Sequence, residues 1–286
     1  MNQIELPSSL VSPEWLSKHL THQDVVVLDA SWHMPASGRN GAEEWQQQRI
    51  PGSRFFDFDG RIKDQHTSLP HMLPDEKLFS KEVSALGISN HHIVVIYDSL
   101  GLFAAPRAWW MFRAMGHHKV AVLNGGLPAW QQAGLPLEKT APAAVPPGQF
   151  SARLQPGWIA DADIVARALQ QNNSRVLDAR SRERLSGTAA DPRPGVRAGH
   201  MPGALCLPFN ELLQDGRMLP EQELAAIFAP LLTPEQTLIC TCGSGVTAAI
   251  LALGAELAGH KNIAVYDGSW TEWGGSADRP VEKDVC

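Results

Sequence analysis

TLICTCGSGVTAAILALGAEL, residues 237–257, changes character twice along its length. A short apolar run rich in β-branched residues ends at Cys242. Gly243, Ser244 and Gly245 then interrupt it, and AAILALGAEL (248–257) continues with the alanine-rich composition of a helix. Residues 236–255 carry no charged side chain and, as one helix, would be long enough to span a bilayer. The glycines and hydroxyl residues in the middle argue against one helix and predict a strand, a tight loop and a helix. Cys242 then stands at the carboxyl end of a strand, where open α/β sheets bind their ligands.

Outward from this stretch, the chain repeats itself. VVVLDASW (25–32) pairs with RVLDARSR (175–182), and RIPGSRFFDF (49–58) with HMPGALCLPF (200–209). HHIVVIYDS (91–99) pairs with QTLICTCGS (236–244), and HHKVAVLNGGLPAW (117–130) with HKNIAVYDGSWTEW (260–273). The offset falls only from 151 residues (49 to 200) to 143 (117 to 260), so the repeating unit is a whole domain. Each half alternates Val, Ile and Leu runs with amphipathic stretches, the pattern of an α/β domain with a mainly parallel sheet flanked by helices. The segment 138–156 holds four prolines and little apolar periodicity, as an extended linker does. The expected division is 1–137, a linker 138–156, and 157–286.

Composition narrows the function. A chain of 286 residues, 44% hydrophobic and 19% charged, can bury two cores. A net charge of −6 leaves no basic stripe for nucleic acid. Four cysteines (206, 240, 242 and 286) are too few and too spread for a disulfide framework. The N-terminal residues lack the apolar core of a signal peptide and the Arg-rich pattern of a transit peptide. Reduced thiols and a cytoplasmic location are the resulting expectation.

The loop after Cys242 is built for an anion. Glycines let successive N–H groups curl inward, and a helix N-terminus adds partial positive charge. A free thiol ionises near about 8.5, and such surroundings favour the thiolate. A lone strand-end cysteine would be read as a buried structural residue; the glycine-flanked turn into a helix instead points to a nucleophile. A Cys-based phosphatase would need an arginine six residues on, where Ala248 stands. The Cys240–Cys242 pair has no second Cys pair and no His at ligand spacing, which argues against a metal site.

CGSGVT (242–247) resembles the active-site loop of the 3-mercaptopyruvate sulfurtransferases, members of the tandem rhodanese superfamily. The resemblance runs through RIPGSRFFDFD, LPHMLP, APRAWWMFRAMGHHKV, LNGGLPAW, DARSRERLSGT, DPRPGVRAGHMPGA and YDGSWTEWG, and so covers nearly the whole chain. It implies two tandem rhodanese-like α/β domains and a persulfide carried on Cys242. Ser244, Asp59 and His71 would complete the catalytic arrangement. Arg184 and Arg193 would hold the substrate carboxylate, while Gly243, Gly245, Val246 and Thr247 line the loop. Arg180 and Arg197 are read as structural.

Sulfur would pass from 3-mercaptopyruvate to cyanide, a small thiol or a thioredoxin-like partner, without metal or organic cofactor. Thiosulfate-using relatives of this superfamily carry basic residues directly after the cysteine, where this chain has Gly243 and Ser244. Thiosulfate as donor is the rival within the enzyme class; a silent rhodanese-like binding module is the rival outside it. In the first half Asp98 takes the place of Cys242, so that domain is expected to do no chemistry and to form one wall of an interdomain cleft. Its bulky Leu100, Leu102 and Phe103 are expected to obstruct a ring of inward N–H groups.

Overall fold

A computed structural model describes residues 4–283. They divide into two compact units, 4–65 with 73–155 and 215–218, and 66–72 with 156–214 and 219–283. Cys286 lies outside the described residues.

In the first unit, strands β1 (Leu10–Val11), β2 (Val25–Asp29), β3 (Arg54–Phe55), β4 (Ile93–Tyr97) and β5 (Val120–Leu123) form a five-stranded sheet in the order β1-β5-β4-β2-β3. Every pairing is parallel. Every residue of β2 and β4 is buried, which explains why these strands read as continuous apolar runs rather than alternating ones. Helices α1 (Pro13–His19), α2 (Gly41–Gln47), α3 (Glu76–Ala85), α4 (Ala105–Ala114) and α5 (Gly126–Gln132) connect the strands. Residues 139–155 form no helix or strand; within the first unit, Arg153 and Gln155 donate their N–H groups to Met115 and Ala114 carbonyls.

The second unit repeats this plan. Strands β6 (Ile159–Ala160), β7 (Ser174–Asp178), β8 (Leu205–Cys206), β11 (Thr237–Thr241) and β12 (Ile263–Tyr266) are ordered β6-β12-β11-β7-β8, again all parallel. Two short strands lie between β8 and β11 in sequence: β9 (Leu213–Gln214) in this unit, and β10 (Arg217–Met218) in the segment 215–218 of the first unit. The helices are α6 (Ala162–Ala168), α7 (Arg182–Ser186), α8 (Glu221–Phe228), α9 (Ala248–Leu257) and α10 (Ser269–Gly275). Thus 237–257 is β11, a loop and α9, not one apolar helix. Among the described residues no helix is long and apolar enough to cross a membrane.

Five helices begin with a local side-chain cap: Ser12, Asn40, Asp75, Asp161 and Ser181 each accept an N–H from the first turn. Helices α4 and α9, which follow the two central strands β4 and β11, have no cap from Ala104 or Thr247. In α4 the donors are satisfied from further back. Asp98 Oδ2 accepts N–H bonds from Phe103, Ala104 and Ala105 at 2.8 Å each, and Oδ1 accepts from Leu100 at 2.9 Å. The expectation that bulky residues block this ring is therefore corrected: N–H groups of the loop converge although Leu100, Leu102 and Phe103 stand in it. The occupant is the protein's own carboxylate, buried at 1% exposure.

The halves also differ one strand away. At the end of β7, Asp178 is held by Arg180, whose Nη2 and Nε reach its carboxylate at 2.7 and 2.9 Å. Ser31 stands at the equivalent place in the first unit and offers Asp29 its backbone N–H, at 2.8 Å, and its hydroxyl, but no positive charge. Burial pushes the Asp29 carboxyl up to about 7; bonds from Ser31 and Tyr97 oppose the shift and the nearby Asp98 charge adds to it.

Two outcomes follow for stability. Asp98→Ala strands several buried donors and is expected to cost about 3 kcal/mol in denaturant unfolding, with Asp98→Asn costing less. For Asp29 the folded carboxyl binds its proton more tightly than the ordinary value of 3.8, so ionisation opposes folding and its penalty grows as pH rises through that window. Asp29→Asn keeps an acceptor for Ser31 without that penalty. Its melting temperature, scanned against pH, is expected to gain on the parent between pH 4 and 7 and then hold a constant lead; a gap independent of pH would contradict this.

Candidate active site

Cys242 follows directly on β11, whose register against β7 and β12 fixes it at the sheet's carboxyl edge. It is 2% exposed. Its Sγ accepts the Gly245 N–H at 3.2 Å. Gly245 has φ of 78°, a left-handed conformation that its side-chain-free backbone adopts without strain. Gly101 holds the matching place in the first unit, also at positive φ. Val246 is buried and Thr247 half-buried, at the entrance to α9. The loop thus has the form that Asp98 occupies in the other half, with a sulfur in place of a carboxylate.

Two arginines approach from the segment after β7. Ser181 Oγ caps α7 by accepting the Arg184 N–H. Asp191, whose side chain is almost fully buried, then ties the segment together: Oδ2 accepts from Arg184 Nη2 at 2.7 Å and Oδ1 from the Arg193 N–H at 3.0 Å. Arg193 Nη2 donates to Ser244 Oγ at 2.9 Å, linking the arginine segment to the cysteine loop. A Cβ placed on Gly243 would lie 3.2 Å from Arg184 Nη2 and 3.4 Å from Arg193 Nη1. The absence of a side chain at Gly243 therefore lets both guanidinium groups come close to the cysteine loop. Arg184 Nε is buried without a hydrogen-bond partner among the described residues.

Cys242, Ser244, Gly243, Gly245, Arg184 and Arg193 are thus brought together within the second unit. Asp59 belongs to the first unit, where Oδ2 accepts the Trp32 indole N–H at 3.0 Å. His71 lies in segment 66–72 of the second unit, buried and at φ of 63°, an uncommon conformation for a residue with a side chain. Asp191 was not singled out from the sequence; an acid two residues before one candidate arginine and seven after the other was the available signal.

Neighbouring residues take structural places. Arg180 joins the buried pair with Asp178, donates to the Gly199 carbonyl and stacks over Trp270 at 4.4 Å. Arg197 donates to the carbonyls of Trp273, Gly274, Ser276 and Arg279 at the end of α10. Cys240 is fully buried, and burial pushes its thiol well above the usual range, as does Cys242 beside it. Cys206 sits on β8 with Sγ directed at the Arg180 carbonyl. Trp109, Trp110, Trp130, Trp270 and Trp273 are core residues.

Comparison with known proteins agrees with this geometry. The family model of the rhodanese-like domain matches twice, at residues 12–133 and 161–276. The thiosulfate/3-mercaptopyruvate sulfurtransferase 1 of Arabidopsis thaliana is 40% identical over 98% of this chain and 80% of its own. Human 3-mercaptopyruvate sulfurtransferase is 40% identical over 94% and 93%. The crystal structure of SseA from Escherichia coli, described as a 3-mercaptopyruvate sulfotransferase of rhodanese fold, matches with a TM-score of 0.83 at 36% identity, covering 92% of this chain and 99% of that one. The chain belongs to the rhodanese family, with one rhodanese-like domain in each half.

Proposed function

We propose that this protein is a sulfurtransferase that takes sulfur from 3-mercaptopyruvate onto Cys242 and passes it to a thiophilic acceptor. The observation that carries this reading is the close approach of the Arg184 and Arg193 guanidinium groups to Gly243, the residue next to Cys242. A donor with a carboxylate and a nearby sulfur fits such a place, because guanidinium forks bind a carboxylate at two points. The buried Arg184 Nε is a further donor for it.

In the proposed reaction the Cys242 thiolate attacks the donor sulfur, forming the S–S bond as the C–S bond breaks. The electron pair goes to the carbon as the enolate of pyruvate, whose charge Arg184 and Arg193 offset, and protonation releases pyruvate. Gly245 and the uncapped start of α9 supply N–H groups for the negative charge on sulfur. Cyanide, a small thiol or a thioredoxin-like protein then attacks the outer sulfur and regenerates the thiolate. Asp59 and His71 enter through the family resemblance alone. The reduced-thiol chemistry suits the cytoplasm.

Thiosulfate is the competing donor, since the Arabidopsis relative's name includes it. Pyruvate and thiocyanate formation, measured with each donor in the presence of cyanide, separates the two. The proposal expects a higher kcat/KM for 3-mercaptopyruvate and loss of all turnover in Cys242→Ser; a higher value for thiosulfate overturns the donor assignment. Arg184→Lys and Arg193→Lys each keep the charge but lose the fork, and are expected to raise KM for 3-mercaptopyruvate about tenfold.

A further inference from the structure

We infer that Thr271, assisted by Ser269, is a positioning residue for the sulfur-carrying loop, acting on it from behind. The first residues of α10 hold the backbone of Cys242 and Gly243 by four hydrogen bonds. Trp270 N–H donates to the Cys242 carbonyl at 2.9 Å. The Gly243 carbonyl accepts twice from Thr271, from its N–H at 2.9 Å and its Oγ1 at 2.6 Å. Ser269 Oγ accepts the Cys242 N–H at 3.2 Å and donates onward to the Tyr266 carbonyl at 2.8 Å.

The consequence follows from peptide geometry. In a planar trans peptide the C=O and the next residue's N–H point in opposite directions. Pinning the Cys242 and Gly243 carbonyls toward α10 therefore turns the N–H groups of Gly243 and Ser244 the other way, into the loop. Gly243 has no side chain to restrict it, so the direction of its peptide depends on the clamp.

The silent half supplies an internal control. Gly125-Gly126-Leu127-Pro128 occupies the place of Gly268-Ser269-Trp270-Thr271. There Leu127 N–H still bonds the Asp98 carbonyl at 2.9 Å, matching Trp270. Pro128 has neither an N–H nor a hydroxyl to give the next carbonyl, and Gly126 has no side chain for the Asp98 N–H. Both hydroxyl contacts thus belong to the half that carries the cysteine. Moreover, Ser269 has φ of 51° and Gly126 of 53°. A side chain is kept in a conformation that glycine adopts without strain, as occurs where a strained residue is held for function.

This inference rests on Cys242 being the sulfur carrier, so its test includes a readout that needs no sulfur donor. Thr271→Val, Thr271→Ser and Ser269→Ala are compared with the parent for the rate of Cys242 alkylation by iodoacetamide at fixed pH, followed by peptide mapping. In parallel, kcat and KM are measured for 3-mercaptopyruvate. Thr271→Val and Ser269→Ala are expected to lower both the alkylation rate and kcat about tenfold, with KM within twofold of the parent, and Thr271→Ser to restore both. Parent-like alkylation and kcat in Thr271→Val, an equal loss in Thr271→Ser, or a rise in KM that accounts for the loss would each overturn the positioning role. A parent that alkylates at Cys242 but does not turn over 3-mercaptopyruvate would instead refute the proposed function and leave the clamp to be judged on alkylation.

Discussion

Each half of this protein has a helix that starts directly behind a central strand, with first-turn N–H groups that no neighbouring side chain caps. Buried donors of this kind need an acceptor, and an anion suits them best because the helix end adds its own positive potential. In the first unit the acceptor is Asp98, built into the chain and fully occupied by four N–H bonds. In the second unit position 242 is a cysteine, and its Sγ takes one N–H, from Gly245. A carboxylate oxygen and the outer sulfur of a persulfide are both two bonds from Cβ. The first unit therefore holds, in oxygen, the arrangement that the proposed persulfide on Cys242 would adopt in the second.

The rest of the second unit can be understood as support for that loop. Parallel register sets the height of Cys242 on the sheet edge. Arg193 and Ser244 tie it to the arginine segment in front, Asp191 holds that segment in shape, and α10 grips the two carbonyls behind. The buried Asp178–Arg180 pair joins β7 to Trp270 and so to α10. A buried ion pair is weak evidence for stability, but here it connects the two elements that flank the loop. The first unit, lacking that arginine, keeps Asp29 as a carboxyl that burial holds partly protonated near neutrality.

Much of this was legible in the residues. Continuous Val and Ile runs identify buried parallel strands, the two-fold recurrence identifies the domain plan, and Cys-Gly-Ser-Gly before an alanine-rich helix identifies the loop. What stayed hidden depends on direction rather than composition. That the N–H groups of Leu100 and Phe103 converge on Asp98 cannot be seen in side-chain size, because the backbone turn decides it. Asp191, Ser269 and Thr271 are small polar residues in loops and at a helix start. Their importance lies in which carbonyl or guanidinium they meet, and no spacing rule encodes those partners.

The most direct test of this account is a crystal structure of the protein after turnover of 3-mercaptopyruvate in the absence of acceptor. The account predicts an additional sulfur on Cys242 Sγ, within hydrogen-bond distance of the N–H groups of Thr247 and Ala248, the counterparts of two donors that hold Asp98 Oδ2. A sulfur directed away from the start of α9, or bound to another cysteine while Cys242 stays unmodified, would contradict it.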